Sequence, residues 1–306
     1  MKQIAVIGLG LMGTSISLRL MEAGYSVTGF DIVRSKATSL AQHGLKEARS
    51  AKEACRGADL TLLSLPSWEA VLEAVEGKDG IIRSARRGQI IADTSTSPPW
   101  ESRALGQRLS RRGIEWMDIP ISGSSVQARV GNMLFMVGGK KSLFKKVKPV
   151  LDSIGKKTVY AGRMGDAATL KVVINHTLNL NQAAAIEGMV LGLKAGLAPD
   201  LLYEVMSSGG AASDQLISRG KAMLAGDFTT RSTVSITKKD TALGLEMGKK
   251  LGVVLPIAAV YLQFLQNAQN RGWDQKDATI VMKIYEELAN FTRKGGKPFS
   301  KKKKKY

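Results

Sequence analysis

The chain has 306 residues, 44% hydrophobic and 23% charged, with a formal net charge of +19. That length predicts two domains, and no apolar run approaches the roughly 20 residues that cross a bilayer. The single cysteine, Cys55, excludes an intrachain disulfide framework, and the chain opens on a strand pattern instead of a secretory leader, so a reducing, cytoplasmic setting is expected.

Lys2 to Ile7 reads as a short buried strand, followed by Gly8-Leu9-Gly10-Leu11-Met12-Gly13. A helical pattern (Ile16, Leu20, Met21) ends at Gly24, and Tyr25 to Phe30 is a second strand closing at Asp31. This is the β-α-β order that a dinucleotide fingerprint requires. Gly8 permits the tight turn, Gly10 lets backbone approach a pyrophosphate, and Gly13 lets helix pack on strand. The helix start then offers unpaired N–H groups and a positive dipole end to phosphates. Asp31, eighteen residues past Gly13, suits the ribose hydroxyls of NAD and repels the 2′-phosphate of NADP; Arg34, close by, would favour that phosphate. NAD is favoured, with NADP left open.

Cys55 lies in an alanine-rich helical pattern and reads as a buried, idle thiol. Strand patterns recur at Ala58 to Leu65, ending at Pro66, and at Gln89 to Ala92, running into Asp93-Thr94-Ser95-Thr96. Because the carboxyl ends of strands line the ligand crevice of an open α/β sheet, Leu65, Pro66 and Thr96 become cofactor-contact candidates, with loop punctuation and a helix cap as the plainer reading. Further strands are expected at Glu115 to Asp118, Met133 to Val137 and Thr158 to Tyr160.

After Gly162 no clear strand pattern recurs. Helices are expected at Ala168 to Ala195, Pro199 to Ser207, Ser213 to Ala225, Thr237 to Leu251, Ala258 to Arg271 and Asp277 to Thr292. The fold class is therefore α/β: an N-terminal, doubly wound Rossmann-type domain (1–162), an all-α domain (163–295) for substrate and oligomerisation, and a basic tail (296–306) expected to be disordered. Arg293 to Tyr306 holds eight Lys and Arg and no acid, so much of the charge is local to that end. At the domain junction, Lys171 and Asn175 stand four residues apart and share a helix face. A cation and an amide so placed can hold an oxygen that gains or loses a proton. Two histidines, His43 and His176, and one cysteine at no metal-ligand spacing give no metal site.

Four ordered segments resemble the β-hydroxyacid dehydrogenase family, which includes 3-hydroxyisobutyrate dehydrogenase and tartronate semialdehyde reductase. They are the glycine-rich run 8–13; Asp118-Ile-Pro120-Ile-Ser122-Gly123 with Ala128, Gly131 and the Met-Val-Gly-Gly that ends at Gly139; Gly162-x-x-Gly165 leading to Lys171 and Asn175; and Lys239-Asp240. The likeness spans residues 2 to 292. It implies an NAD(P)-dependent oxidoreductase acting on a small β-hydroxy acid or semialdehyde carboxylate. Lys171 would be the general acid/base and Asn175 would hold the reacting oxygen. Ser122 and Gly123 would bind the substrate carboxylate, with Ser124 beside them. Thr96 and Lys239 would contact the cofactor, and the protein would be a homodimer or homotetramer.

The sequence departs from the family pattern at three places. Ser124 replaces the second glycine of Ser-Gly-Gly, Ala167 replaces the third glycine before the lysine, and Ser232 stands where several relatives carry Phe. The polar run Thr229 to Thr233 suggests a more polar or anionic substrate than hydroxyisobutyrate. Arg231 within it reads as surface, and Gly209 to Ser213 as either pocket wall or turn and helix cap. Two other readings stay open: an imine reductase on the same scaffold, against which Lys171 argues, and a non-catalytic dinucleotide- or nucleic-acid-binding scaffold suggested by the charge. Nucleic acid is not the expected partner.

Overall fold

In the first strand Ile4 to Ile7 are all buried, but on opposite faces. Ile4 and Val6 join one apolar cluster and Ala5 and Ile7 another. A strand buried on both sides belongs to a parallel sheet covered by helices on both faces. The computed structural model describes residues 1–292; the basic segment 296–306 lies outside the described residues. By its contacts the chain divides into two units, Met1–Val172 and a second from Val173 onward.

In the first unit the elements run β1 (Gln3–Ile7), α1 (Leu11–Glu22), β2 (Ser26–Phe30), α2 (Arg34–Ala41), β3 (Lys46–Glu47), α3 (Ala51–Cys55), β4 (Leu60–Leu63), α4 (Trp68–Glu76), β5 (Ile90–Asp93), α5 (Pro99–Arg111), β6 (Glu115–Asp118), β7 (Ile121–Ser122), α6 (Ser125–Arg129), β8 (Leu134–Gly138), α7 (Lys141–Ile154) and β9 (Lys157–Gly162). β3, β2, β1, β4, β5 and β6 lie side by side and parallel. β8 then pairs antiparallel with β6 and β7, and β9 pairs parallel with β8. Asp118 opposite Gly138 and Ile121 opposite Phe135 share one register, so β6 and β7 are one strand interrupted at Ile119-Pro120. Proline has no N–H to give the ladder there. One face packs on α1, α2 and α7, the other on α3, α4 and α5, as a doubly wound sheet requires.

The sequence reading missed β3 and β7. Both are two residues long, and Lys46 and Glu47 are exposed, so neither leaves a hydrophobic pattern.

From the first unit into the second runs α8 (Asp166–Lys194), followed by α9 (Pro199–Ser208), α10 (Asp214–Ala225), α11 (Val234–Leu251), α12 (Pro256–Asn270) and α13 (Met282–Leu288). The second unit's core is Ile186, Met189, Leu216, Met223, Tyr261, Leu265 and their neighbours. α11 starts three residues earlier than expected because Thr233 caps it, accepting from the Ile236 N–H. The single helix expected over 277–292 is instead a 3₁₀ turn (Ala278–Val281) and the short α13. The Asp277 carboxylate accepts from the Thr279 N–H and hydroxyl and tightens that first turn, and Asn290 at φ 47° closes the segment. No helix among the described residues is long and apolar enough to cross a membrane.

Candidate active site

The candidate cofactor residues of the first unit meet at the carboxyl ends of its parallel strands. Gly8, at φ +91°, turns the chain out of β1, and its N–H donates to the Phe30 carbonyl. A Cβ on Gly8 would overlap the Ser64 carbonyl oxygen, and one on Gly13 would overlap the Gly8 carbonyl. Gly10 differs: nothing lies within 4 Å of where its Cβ would be. Two glycines are thus required by packing and the third faces open space. No side chain caps α1, which leaves first-turn N–H groups for an anion. Leu11, 80% exposed, stands beside that opening, and Met12 packs against the core. A backbone cradle with an uncapped helix start fits a dinucleotide pyrophosphate.

Asp31 is held in place. Its carboxylate accepts from the Leu9 N–H and the Val33 N–H, each at 2.8 Å, and pairs with Lys36 at 3.3 Å. The bond to Leu9 joins the end of β2 to the glycine turn. Lys36 escaped the sequence reading, though it lies only five residues beyond the acid, in the first turn of α2. Arg34 is exposed at the start of α2. On the other side, the Leu65 N–H donates to the Ser95 hydroxyl at 2.9 Å, so Leu65 and Pro66 adjoin the turn that carries Thr96. Asp93 shapes that turn: it accepts from the Ser95 N–H and, at 2.6 Å, from the Ser97 hydroxyl. The helix that follows is entered through Pro98 and Pro99, so Thr96 is not its cap.

Ser122, Gly123 and Ser124 form the turn between β7 and α6, with Gly123 at φ +141°. The Ser124 hydroxyl accepts from the Gln127 N–H while the Gln127 side chain accepts from the Ser124 N–H, a capping box that the Ser-x-x-Gln spacing announces. The Ser15 hydroxyl bonds both the Leu11 and Ser125 carbonyls, tying this turn to the start of α1. Lys171, partly buried, lies in the second turn of α8, after the φ-positive Gly162 and Gly165. Ala167 in place of a glycine is fully buried, so the close approach survives the change.

In the second unit, Asn175 is 8% exposed and donates its amide Nδ2 to Asp240 at 2.7 Å. A carboxylate accepts only, so the Asn175 amide has one orientation and its Oδ1 is turned away as an acceptor. Lys239 pairs with the other Asp240 oxygen at 3.3 Å. Asn175, Asp240 and Lys239 are therefore one connected group, which reading Lys239 alone did not reveal. His176 packs against Gly244, and burial lowers its pKa. Ser232 sits in the polar loop with its N–H on Asp277, and Arg231 sends its guanidinium to the Ser218 carbonyl. Ser213 caps α10, and Gly210 to Ser213 also line a cavity of about 350 Å³ with Asn181, Ala184 and Met206. Cys55 is buried, its thiol pKa pushed up by that burial.

Comparison with known proteins agrees across the chain. A family model described as the NAD binding domain of 6-phosphogluconate dehydrogenase matches residues 3–162. A second, the NAD-binding domain of NADP-dependent 3-hydroxyisobutyrate dehydrogenase, matches residues 165–285. The sequence is 29% identical to 2-(hydroxymethyl)glutarate dehydrogenase of Eubacterium barkeri, covering 96% of this chain and 98% of that one. It is 30% identical to L-threonate dehydrogenase of Cupriavidus necator, covering 93% and 96%. The fold superposes on the crystal structure of 3-hydroxyisobutyrate dehydrogenase from Salmonella typhimurium with a TM-score of 0.84 and 28% identity, over 93% of this chain and 100% of that one. With both halves matched in order and the relatives covered nearly end to end, the chain belongs to the 3-hydroxyisobutyrate dehydrogenase family of NAD(P)-dependent β-hydroxyacid dehydrogenases and semialdehyde reductases.

Proposed function

We propose that Lys171 is the general acid/base in hydride transfer on a small carboxylate bearing a β-hydroxyl or aldehyde, and that Asn175 holds the reacting oxygen. The observation that carries this reading is the Asn175–Asp240 pair. It fixes the Asn175 amide on α8 one turn beyond Lys171: one Nδ2 hydrogen is committed to Asp240, and the other can donate to the reacting oxygen, leaving that oxygen's own proton to Lys171. When bound, the nicotinamide supplies the hydride acceptor in oxidation and the donor in reduction. In oxidation Lys171 takes the hydroxyl proton, and in reduction it returns a proton to the nascent alkoxide, help worth roughly 10²–10⁴-fold. Ser122 and Gly123 receive the substrate carboxylate, and Ser124 narrows the same turn. Gly8 to Gly13, Asp31, Leu65, Pro66, Thr96 and Lys239 hold the cofactor. Asp31 favours NAD, since a 2′-phosphate would meet a carboxylate already fixed by two N–H groups.

Ser232, small and polar, supports a substrate more polar than hydroxyisobutyrate. The threonate and hydroxymethylglutarate named for two relatives are of that kind. Val253, Val254, Ile257 and Val260 are each more than half exposed and support assembly into a homodimer or homotetramer through the helical unit. The test is nicotinamide absorbance over a panel of hydroxy acids and semialdehydes with NAD and NADP, wild type beside Lys171→Ala. The reading expects fast turnover of a polar β-hydroxy acid that collapses in the variant; near-normal turnover of Lys171→Ala refutes it.

A further inference from the structure

Gly165 occupies the N-cap of α8, where a Ser, Thr, Asp or Asn side chain ordinarily accepts an N–H of the first turn. A glycine at φ +87° offers no such oxygen. Another element provides it. Asp118, at the end of β6, accepts from the Gly165 N–H through Oδ1 and from the Ala168 N–H through Oδ2, both at 2.7 Å. Ala168 is the third residue of α8, so its N–H is the one an N-cap side chain would take. The helix is capped from the sheet.

This arrangement is costly as a mere cap. Asp118 is 2% exposed, and among the described residues no cation pairs with it. Its neighbour across the ladder is a second buried acid, Asp93. Burial, with a smaller push from Asp93, raises the Asp118 pKa despite the backbone N–H groups that oppose it. Arg103 and Asp166 face the same turn from outside, paired with each other at 3.4 Å. A side chain at position 165 could not supply the cap, because φ there is strained for anything but glycine and a Cβ would lie 2.5 Å from Arg103 Nε, so the cap has to come from another element. What the buried carboxylate adds is location: it references the first turn of α8 to the end of β6. Lys171 lies three residues after Ala168, on the same face, and helical side chains lean back toward the N-terminus. Its stem therefore rises over the turn that Asp118 holds. Asp93, one strand away, fixes the Ser95–Ser97 turn in the same manner. Two adjacent strand ends thus set the turn proposed for the cofactor and the turn proposed for the proton.

We infer that Asp118 is a positioning residue for proton transfer: its carboxylate holds the first turn of α8 so that Lys171 meets the reacting oxygen in register. The inference rests on the reading of Lys171 as acid/base. Misplacement by about 1 Å costs on the order of 10²-fold in rate, so Asp118→Asn, whose amide accepts through one atom only, is expected to lower kcat about 10- to 100-fold. Cofactor Kd should stay within about twofold, because the glycine turn is untouched.

Gly138→Ala perturbs the same contact from the other side. Its Cβ would lie 2.5 and 2.7 Å from the two Asp118 oxygens, at a residue whose φ is not in the left-handed region. It should reproduce the kcat loss, and it decides the matter if Asp118→Asn does not fold. The closing experiment is a kinetic cycle of wild type, Asp118→Asn, Lys171→Ala and the double variant, with cofactor binding read by fluorescence. The inference expects the Asp118 effect to shrink to less than about threefold once Lys171 is absent. Losses that multiply, or wild-type kcat in both Asp118→Asn and Gly138→Ala, overturn it while leaving Lys171 in its role. Full activity of Lys171→Ala overturns the underlying reading, and this inference with it.

Discussion

Asp277 organises the polar loop of the helical unit, and its removal gives a sharp test of how that loop is held. Arg219 Nη1 lies 2.8 and 2.9 Å from its two oxygens, with side-chain exposures of 13% and 2% for the pair. The carboxylate also accepts from the Arg231 N–H at 2.7 Å, the Ser232 N–H at 3.1 Å, and the Thr279 N–H and hydroxyl at 3.0 and 2.6 Å. Asp277→Ala strands a mostly buried guanidinium and four neutral donors. Breaking a buried ion pair by removing one partner costs about 3–5 kcal/mol, and an orphaned neutral donor about 1–3. The donors share one acceptor and relax together, so these do not add, and about 4 kcal/mol is expected.

Arg219→Met leaves Asp277 with its other four donors and should cost about 1–2 kcal/mol. Urea unfolding, with amide exchange read on peptides covering Asp227 to Thr233, measures both. A loss below about 1 kcal/mol in Asp277→Ala, or an equal loss in Arg219→Met, refutes the account of Asp277 as the loop's anchor.

Four other outcomes are expected. Gly13→Ala should raise cofactor Kd at least about 100-fold with unchanged circular dichroism, because its methyl overlaps the Gly8 carbonyl and displaces the phosphate turn. Asp31→Ser should lower the NAD:NADP ratio of kcat/KM at least about tenfold, since Arg34 and Lys36 remain to meet a 2′-phosphate. Asp240→Asn frees the Asn175 amide to turn over and should cut kcat about tenfold or more in steady-state assays, with the protein still folded. Cys55 should resist a maleimide until denaturant is added, because burial both hides the thiol and raises its pKa.

The parts legible in the sequence are those whose signal is local. Gly8, Gly10 and Gly13 between two strand patterns announce the dinucleotide turn because each glycine answers a backbone constraint within a few residues. The change from strand to helix patterns after Gly162 likewise marks where the sheet ends. What stayed hidden depends on pairing across the chain. Nothing near Asn175 says that Asp240, 65 residues on, dictates its amide orientation. Asp118 was visible as part of a motif, but its role as the cap of α8 needs a partner 47 and 50 residues away. The shortened α13 was lost for the same reason: Asp277 turns the chain with a carboxylate that also serves Arg219 and the Arg231 loop, whereas apolar spacing alone reads as one continuous helix.

The two buried acids Asp118 and Asp277 also respond to acid in opposite senses, which separates the two units experimentally. Burial raises the Asp118 pKa, so its ionised form is disfavoured in the folded state. Its contribution to stability therefore improves as pH falls from that raised value toward the unfolded value of roughly 3.9. At Asp277 burial pushes upward, but Arg219 and the surrounding donors outweigh it and hold the pKa low. Its contribution is complete above roughly 3.9 and is lost only as pH falls through the depressed folded value. The two windows do not overlap: one lies above the ordinary carboxylate value and the other below it. Amide exchange, corrected for intrinsic rate, should then show Asp227 to Thr233 losing protection on acidification before Arg163 to Leu170 does. In Asp277→Asn the part of that loss that comes from Asp277 should vanish, leaving only the part due to Asp227, whose carboxylate accepts from the Thr229 N–H and hydroxyl and is held below its usual range by them. Earlier opening of the 163–170 segment would mean that protonating Asp118 breaks the cap of α8 outright, and that the turn beneath Lys171 is the acid-labile element of the protein.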